Sequence, residues 1–176
     1  LENRDGKFTD VTAKVAPELL NPGLITSAAW ADINGDGLLD LVAAGEWTPV
    51  LVFLGNGRAL ENRSMEFGLG KTNGWWNKVV AADFDNDGDI DLIGGNRGLN
   101  HKYRATVEKP FHVFCHDFDG NKTLDIVLGY YNYRDKDYFP VRGFQCSTQQ
   151  MPAIKEKISS YEDFGTSTLA DIYGKS

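Results

Sequence analysis

The chain has 176 residues, of which 41% are hydrophobic and 24% are charged, and 25 acidic against 18 basic side chains give a net charge of −7. That length supports one domain with a hydrophobic core, and the acidic balance argues against a nucleic-acid partner. No apolar run approaches the roughly 18 residues of a membrane span, and two cysteines are too few for a disulfide scaffold.

The N-terminal segment predicts an incomplete repeat followed by a connection. The chain begins at Leu1 without a visible signal peptide, so we expect it to be a piece of a longer protein. Residues 7–12 predict an outer strand of a preceding unit. Residues 13–26, which include Pro17 and Pro22, predict a connecting loop with room for one helical turn.

A first loop with oxygen-bearing side chains follows, between strand-like residues 27–31 and 41–44. Its positions 1, 3, 5 and 9 carry Asp or Asn, and Gly37 at position 6 permits the left-handed backbone that closes such a loop. Ca²⁺ takes six to eight oxygen ligands, and position 7 would add its backbone carbonyl. The predicted ligands are Asp32, Asn34, Asp36, Leu38 and Asp40.

The second loop, residues 83–91, keeps this frame in its most acidic form. Strand-like residues 78–82 precede it and residues 92–94 follow it, and Gly88 occupies position 6. Four carboxylates at positions 1, 3, 5 and 9 would repel one another strongly without a cation. The predicted ligands are Asp83, Asp85, Asp87, Asp89 and Asp91.

The third loop, residues 117–125, lies between strand-like residues 111–115 and 126–128. It keeps the oxygen positions but has Lys122 where the other loops have glycine. A left-handed lysine costs about 1–2 kcal/mol, so we expect this loop to be the weakest or the most distorted. The predicted ligands are Asp117, Asp119, Asn121, Thr123 and Asp125.

The loops have two other possible interpretations. A single Asn/Asp-Gly loop is as consistent with a tight hairpin turn as with a metal site, but three loops with aligned oxygens favour metal. An EF-hand requires a bidentate Glu at position 12 and flanking helices. Position 12 is instead Ala43, Gly94 and Leu128, in strand-like sequence. The repeating unit is therefore strand, cation loop, strand.

The remaining segments predict further strands and a helical tail. We expect a turn at Gly55–Gly57 with an outer strand near residues 59–63, a strand within 100–108, and a hairpin from 126–131 and 137–141. Residues 145–176 lack strand alternation. There, Pro152 could start a helix, and Thr168 with Asp171 resembles a capping box for a last helix closed by Gly174. Cys115 and Cys146 either pair or remain buried free thiols.

These units resemble the FG-GAP/VCBS repeat, the calcium-binding blade of integrin-α-type β-propellers. Residues 6–12, 74–76 and 95–100 also resemble the secreted bacterial ASPIC/UnbV group related to cartilage acidic protein, so the resemblance covers about residues 6–142. It implies an all-β fold: an incomplete β-propeller of about three blades of antiparallel strands with Ca-binding hairpin loops. Short C-terminal helices complete it. The predicted domains are residues 1–144, with loops at 32–40, 83–91 and 117–125, and a helical extension at 145–176.

The intervals between the loops and the number of blades indicate that the predicted propeller is irregular and incomplete. The loops begin at Asp32, Asp83 and Asp117, which gives intervals of 51 and 34 residues, against roughly 40–50 in blade arrays. A closed propeller takes at least four blades, so we expect open edges at which the chain could self-associate.

The function implied by the resemblance is that of a calcium-stabilised extracellular module for protein or glycan binding or adhesion, with up to three structural Ca²⁺ ions and no catalytic residue. We expect it outside the cell, at the cell surface or in the periplasm, where millimolar calcium suits weak modular sites. The alternative is part of a propeller-type polysaccharide lyase or another carbohydrate-active enzyme. Acid/base groups for that alternative could come only from residues 101–104 or from His112 and His116.

Aromatic residues supply further candidates for binding. Adjacent Trp75 and Trp76 face opposite sides of a strand, so one should be core and the other could be a surface platform for a sugar or a partner. A tyrosine patch near the third unit is by default packing. Its members are Tyr130, Tyr131, Tyr133 and Tyr138.

Overall fold

The computed structural model describes residues 1–174 and contains two compact units, Leu1–Gly98 and Leu99–Ser176. Taken together, the described residues form mainly antiparallel strands, with a few short helices, so the all-β prediction is confirmed at this level. Lys175 and Ser176, the end of the predicted helical extension, lie outside the described residues. The division at residue 144 into blades and extension stays a prediction.

The first unit begins with a small hairpin. Strand β1 (Glu2–Arg4) pairs with β2 (Lys7–Thr9), and the turn between them has the positive φ angles of Asp5 and Gly6, 52° and 79°. This two-residue turn matches the twist of a hairpin, so β2 pairs locally with β1. Helix α1 (Thr12–Val15) and a 3₁₀ helix (Pro17–Leu20) follow, where the sequence predicted a loop with one helical turn.

Four strands form an antiparallel meander in this unit. Strand β3 (Leu24–Ala31) pairs with β4 (Asp40–Thr48), β4 with β5 (Leu51–Gly55), and β5 with β6 (Leu60–Asn62). Strand β6 lies within the outer strand predicted near residues 59–63.

A second hairpin joins the end of the same sheet. Strand β7 (Gly74–Ala82) pairs with β8 (Asp91–Asn96), and β7 also meets the last residues of β4, where Glu46 lies opposite Trp75. The Thr26 hydroxyl, at an irregularity in β3, donates to the backbone oxygen of Trp76 at 2.9 Å. Strand β4 therefore has three partners: β3, β5 and β7.

The strand predicted within residues 100–108 is wrong. The chain there forms turns, with the Thr106 amide bonded to the Lys109 carbonyl at 3.0 Å. The side chain of Tyr103 packs against the rings of Phe111 and Tyr130 instead of facing a neighbouring strand. Among residues 1–174, β8 consequently pairs with β7 alone.

The core of the first unit lies on both faces of β4 and β5, because alternate side chains of a strand point to opposite faces. Val42 and Val52, both 0% exposed, pack with Val79 of β7 on one face. Leu41 and Phe53 pack on the other face, toward Leu19 of the 3₁₀ helix and other partly buried side chains. A strand that is buried on both faces has a continuous run of apolar residues instead of an alternating pattern. This explains the apolar runs Leu41–Ala44 in β4 and Leu51–Leu54 in β5.

The second unit has a three-stranded sheet covered by helices. Strands β9 (His112–His116), β10 (Asp125–Asn132) and β11 (Asp137–Pro140) pair in the order β11-β10-β9. The helices are α2 (Phe144–Gln150), α3 (Ile154–Lys157), α4 (Tyr161–Thr166) and α5 (Leu169–Tyr173). Their buried side chains form one core with β10, comprising Val127, Met151, Ile154, Ile158, Phe164 and Ile172.

The end of this helical tail has the capping residues that the sequence predicts. Thr168 and Asp171 form the predicted capping box, and Gly174 ends α5 with φ +90°. The cysteines differ from expectation: Cys115 and Cys146 are free but exposed, not paired or buried. None of the helices among residues 1–174 is long and apolar enough to cross a membrane.

Candidate metal sites

Each predicted loop closes a hairpin at the same place. The residue before position 1 pairs with position 9 in all three, as Ala31 with Asp40, Ala82 with Asp91, and His116 with Asp125. Position 9 is thus the first residue of the returning strand in each hairpin. The predicted unit of strand, loop and strand is confirmed three times.

The backbone of the three loops follows one pattern, with positive φ at positions 4 and 6. Position 4 is Gly35, Asn86 or Gly120, and position 6 is Gly37, Gly88 or Lys122. Lys122 adopts φ 69°, so a lysine accepts the left-handed conformation that glycine supplies elsewhere. The third loop therefore keeps the shared backbone frame, and the expected distortion is not found; its predicted weakness stays a prediction.

Side-chain oxygens at positions 1, 3 and 5 organise the loop from within. At position 1, Asp32 accepts from the amide of Gly37 at 2.8 Å, and Asp117 accepts from that of Lys122 at 2.8 Å. Position 3 accepts from the amide of position 5, and position 5 from that of position 7, in every loop. These bonds hold the oxygen-bearing side chains against the loop backbone.

The ninth-position carboxylates are the most buried part of the sites. Asp40 is 0% exposed and accepts from the amides of Ile33 and Gly55, both at 2.8 Å. Asp125 is 3% exposed and accepts from the amide of Phe118 at 3.2 Å. Buried carboxylates require such partners, so these residues have a structural task besides any ligand role.

Two loops bring three carboxylates together. Ligand atoms of Asp83, Asp85 and Asp91 lie within 4.8 Å of one another, and so do those of Asp117, Asp119 and Asp125. In the first loop, Asn34 stands at position 3, and its amide donates to Asp36 at 2.9 Å. The donors are all oxygens, which fit a hard cation such as Ca²⁺ and not the nitrogen and sulfur sites typical of zinc.

Position 7 was predicted to contribute a backbone carbonyl, and its amide is already engaged. The amides of Leu38, Asp89 and Thr123 donate to the side chain of position 5 in their loops. The contribution of their carbonyl oxygens stays a prediction. Hydrogen bonding to Asp87, with repulsion from neighbouring acids, raises the pKa of Asp89. A raised pKa is the expected result of crowding carboxylates without a neutralising charge.

The other candidate residues lie in aromatic contacts. The ring of His112 is 4.5 Å from that of Tyr138, whose pKa is raised by burial, and His116 meets Phe118 edge-on at 5.5 Å. His101 accepts from the Tyr103 amide at 3.0 Å. The lyase alternative, which these contacts do not test, stays a prediction.

The paired tryptophans are both half-buried and differ in their contacts, and the role of one as a surface platform stays a prediction. The side chain of Trp76 joins the core beside Val42 and donates to the Thr72 carbonyl at 2.7 Å, whereas Trp75 lies under the guanidinium of Arg97 at 5.2 Å. Sequence reasoning missed Gln150, whose side chain donates to Asp125 at 3.0 Å from helix α2. Its position 25 residues after Asp125 leaves no local sequence signal for this contact.

The sequence model of a family described as FG-GAP-like repeat matches residues 1–43 and 32–94, which together make up more than half of the chain. The first match includes the loop at residues 32–40, and the second includes that loop and the one at 83–91. The loop at 117–125 lies outside the matched residues. No curated protein matches the chain.

Proposed function

Because the chain belongs to the FG-GAP-like repeat family, we propose that it is a non-enzymatic binding module whose repeated hairpins are stabilised by calcium. Repeats of this family are typical of extracellular and secreted proteins. We accordingly place the module outside the cell, at the cell surface or in the periplasm, with a protein or a glycan as its partner. The ions are structural.

The observation that carries this proposal is the shared frame of the three loops. Their sequences differ at positions 3, 5 and 6, among others, yet the positive φ angles recur, and so do the hydrogen bonds accepted by the side chains at positions 1, 3, 5 and 9. A turn that only reversed the chain would need neither four oxygen positions nor their alignment across hairpins. A common ligand requirement accounts for both.

Calcium suits this donor set better than other common cations. It accepts carboxylate, amide and backbone carbonyl oxygens in flexible geometry, and extracellular modules bind it with dissociation constants of about 10⁻⁴–10⁻³ M. Mg²⁺ requires near-ideal octahedral geometry and keeps several waters. The residues that would hold the ions are those at positions 1, 3, 5, 7 and 9 of each loop.

We further propose that the meander β3–β6 is one propeller blade and that the hairpins β7–β8 and β9–β10 begin two others. Four antiparallel strands are the content of one blade, and the meander supports this proposal. Membership of the ASPIC/UnbV group and a role in adhesion are also part of the proposal.

The test is a thermal melt with and without calcium. EDTA should lower the Tm and added Ca²⁺ should restore it, because a ligand present at 100 times its Kd stabilises the folded state by about 2.7 kcal/mol. Asp83→Asn should weaken this response, whereas Glu156→Gln, which removes one negative charge from a helix outside the loops, should not. A melt unchanged by EDTA and by Ca²⁺ would contradict structural calcium.

A further inference from the structure

The hairpins that carry the first and third loops, β3–β4 and β9–β10, hold their ninth-position carboxylates in different ways. Each hairpin with its loop is called a repeat. In the first repeat, Asp40 accepts from the backbone amide of Gly55, at the end of β5, through Oδ1. In the third repeat, Oδ1 of Asp125 accepts from Nε2 of Gln150 at 3.0 Å. Gln150 is the last residue of helix α2. A side chain of the tail helix thus takes the place of a strand amide.

The orientation of the Gln150 amide is fixed by a second contact. An Arg142 Nη1 group donates to Oε1 of Gln150. Because a guanidinium can only donate, Oε1 must face Arg142, and Nε2 is then directed toward Asp125. Arg142, Gln150 and Asp125 form a chain of charge-assisted hydrogen bonds behind the third loop.

The helix that carries Gln150 is firmly placed against the sheet. Ser147 and Thr148 of α2 are buried, and Met151, which follows it, packs in the same core as Val127. Val127 is two residues after Asp125 on β10, so both side chains point to the face covered by the helices. Docking of the tail therefore brings Gln150 to Asp125.

We propose that Gln150 is a positioning residue for the third cation site and that docking of the tail helices sets the cation affinity of that loop. The inference rests on the proposed binding of calcium. A carboxylate oxygen that accepts one hydrogen bond keeps lone-pair capacity for an ion, so Gln150 can orient Asp125 without displacing the ligand. Coupling is reciprocal, and calcium in this loop stabilises the docked tail.

The experiment is a Ca²⁺ titration of the full chain followed by amide NMR. The resonances of Gly120 report the third loop, and those of Gly88 report the second. In Gln150→Met we expect about tenfold weaker binding at Gly120, since loss of an outer partner of a metal ligand lowers affinity by roughly 10–100-fold. Binding at Gly88 should not change. The matched control is Gln149→Met, an exposed glutamine on the same helix, which should leave both affinities unchanged.

A second variant and a second measurement guard against a folding defect. Arg142→Met leaves Gln150 in place but removes its orienting contact, and it should weaken the third loop in the same direction. In the parent chain, Ca²⁺ should slow hydrogen exchange at the Met151 amide, which bonds to the Ser147 carbonyl at 2.9 Å. This slowing should be lost in Gln150→Met.

The outcomes separate this inference from the proposed function. Unchanged affinity at Gly120 in Gln150→Met overturns the positioning role, and so does an equal loss at Gly88 and Gly120, which indicates general destabilisation. If the unsubstituted chain binds calcium in the second loop, as reported by Gly88, but not in the third, as reported by Gly120, the positioning role is also overturned. The proposal that the module binds calcium then stands. If no loop resonance of the parent responds to Ca²⁺, the proposed function itself fails.

Discussion

Replacing Asp40 with alanine should destabilise the first unit more than the same change at Asp91, although the two residues occupy the same loop position. Asp40 is fully buried and accepts from two backbone amides, those of Ile33 and Gly55. Asp91 is half-buried and accepts from the Phe84 amide at 3.0 Å. The two carboxylates therefore differ in the number and burial of the backbone amides that they bind, apart from any ion.

The magnitude follows from the amides that lose their acceptor. A buried donor left without a partner costs about 1–3 kcal/mol. Asp40→Ala leaves two such donors, one buried and one half-buried, so we expect a loss of about 2–4 kcal/mol. Asp91→Ala leaves one exposed amide that water can satisfy, and we expect a loss of at most about 1 kcal/mol.

The assay is urea unfolding of the full chain in EDTA, followed by tryptophan fluorescence. All four tryptophans, Trp30, Trp47, Trp75 and Trp76, lie within Leu1–Gly98, so the signal reports that unit. EDTA removes any contribution from bound metal. The repulsion among the loop carboxylates that remains makes the loss of Asp91 still less costly. An Asp91→Ala loss equal to or larger than that of Asp40→Ala would refute the reasoning.

Three further predictions test the loops and the backbone. In Ca²⁺, Asp87→Ala should lower the Tm more than Asn121→Ala, because a carboxylate binds the ion more strongly than an amide; the reverse order in thermal melts would contradict the ranking of the sites. Lys122→Gly should raise the free energy of unfolding by about 0.5–1 kcal/mol, since it removes left-handed strain, and a loss measured by urea would count against that strain. Gly55→Ala would force a Cβ against a backbone carbonyl oxygen, so it should destabilise by at least 1 kcal/mol or so. Gly165→Ala, in helix α4 with open space around the new Cβ, should instead stabilise by about 0.5–1 kcal/mol; equal effects in chemical denaturation would show the close approach to be unimportant.

Local sequence patterns predicted the hairpins and loops because their determinants are local. The oxygen spacing, the turn residues and the strand-like sequences of β3, β7 and β9 all act within about ten residues of one another. The capping box of α5 is equally local, since Thr168 and Asp171 are three residues apart. Such features need no knowledge of the tertiary structure.

Most of the failures depend on how side chains pack, which local patterns do not show. Residues 100–108 alternate as a strand would, but the ring of Tyr103 finds partners at Phe111 and Tyr130, and the chain turns instead. The contact of Gln150 with Asp125 depends on how the tail helices pack, which no spacing rule reveals. Lys122 shows a third limit, because the frame of its loop overrides a backbone preference of about 1–2 kcal/mol.

Because β4 pairs with three strands, it determines how the sheet of the first unit unfolds. This strand pairs with β3, with β5 and, at its end, with β7. Separating the second hairpin would therefore expose Val42 and Val52 to water and break the cluster they form with Val79. With one strand common to all these pairings, neither hairpin can melt without weakening the other, and the sheet of β3–β8 should behave as a single cooperative foldon.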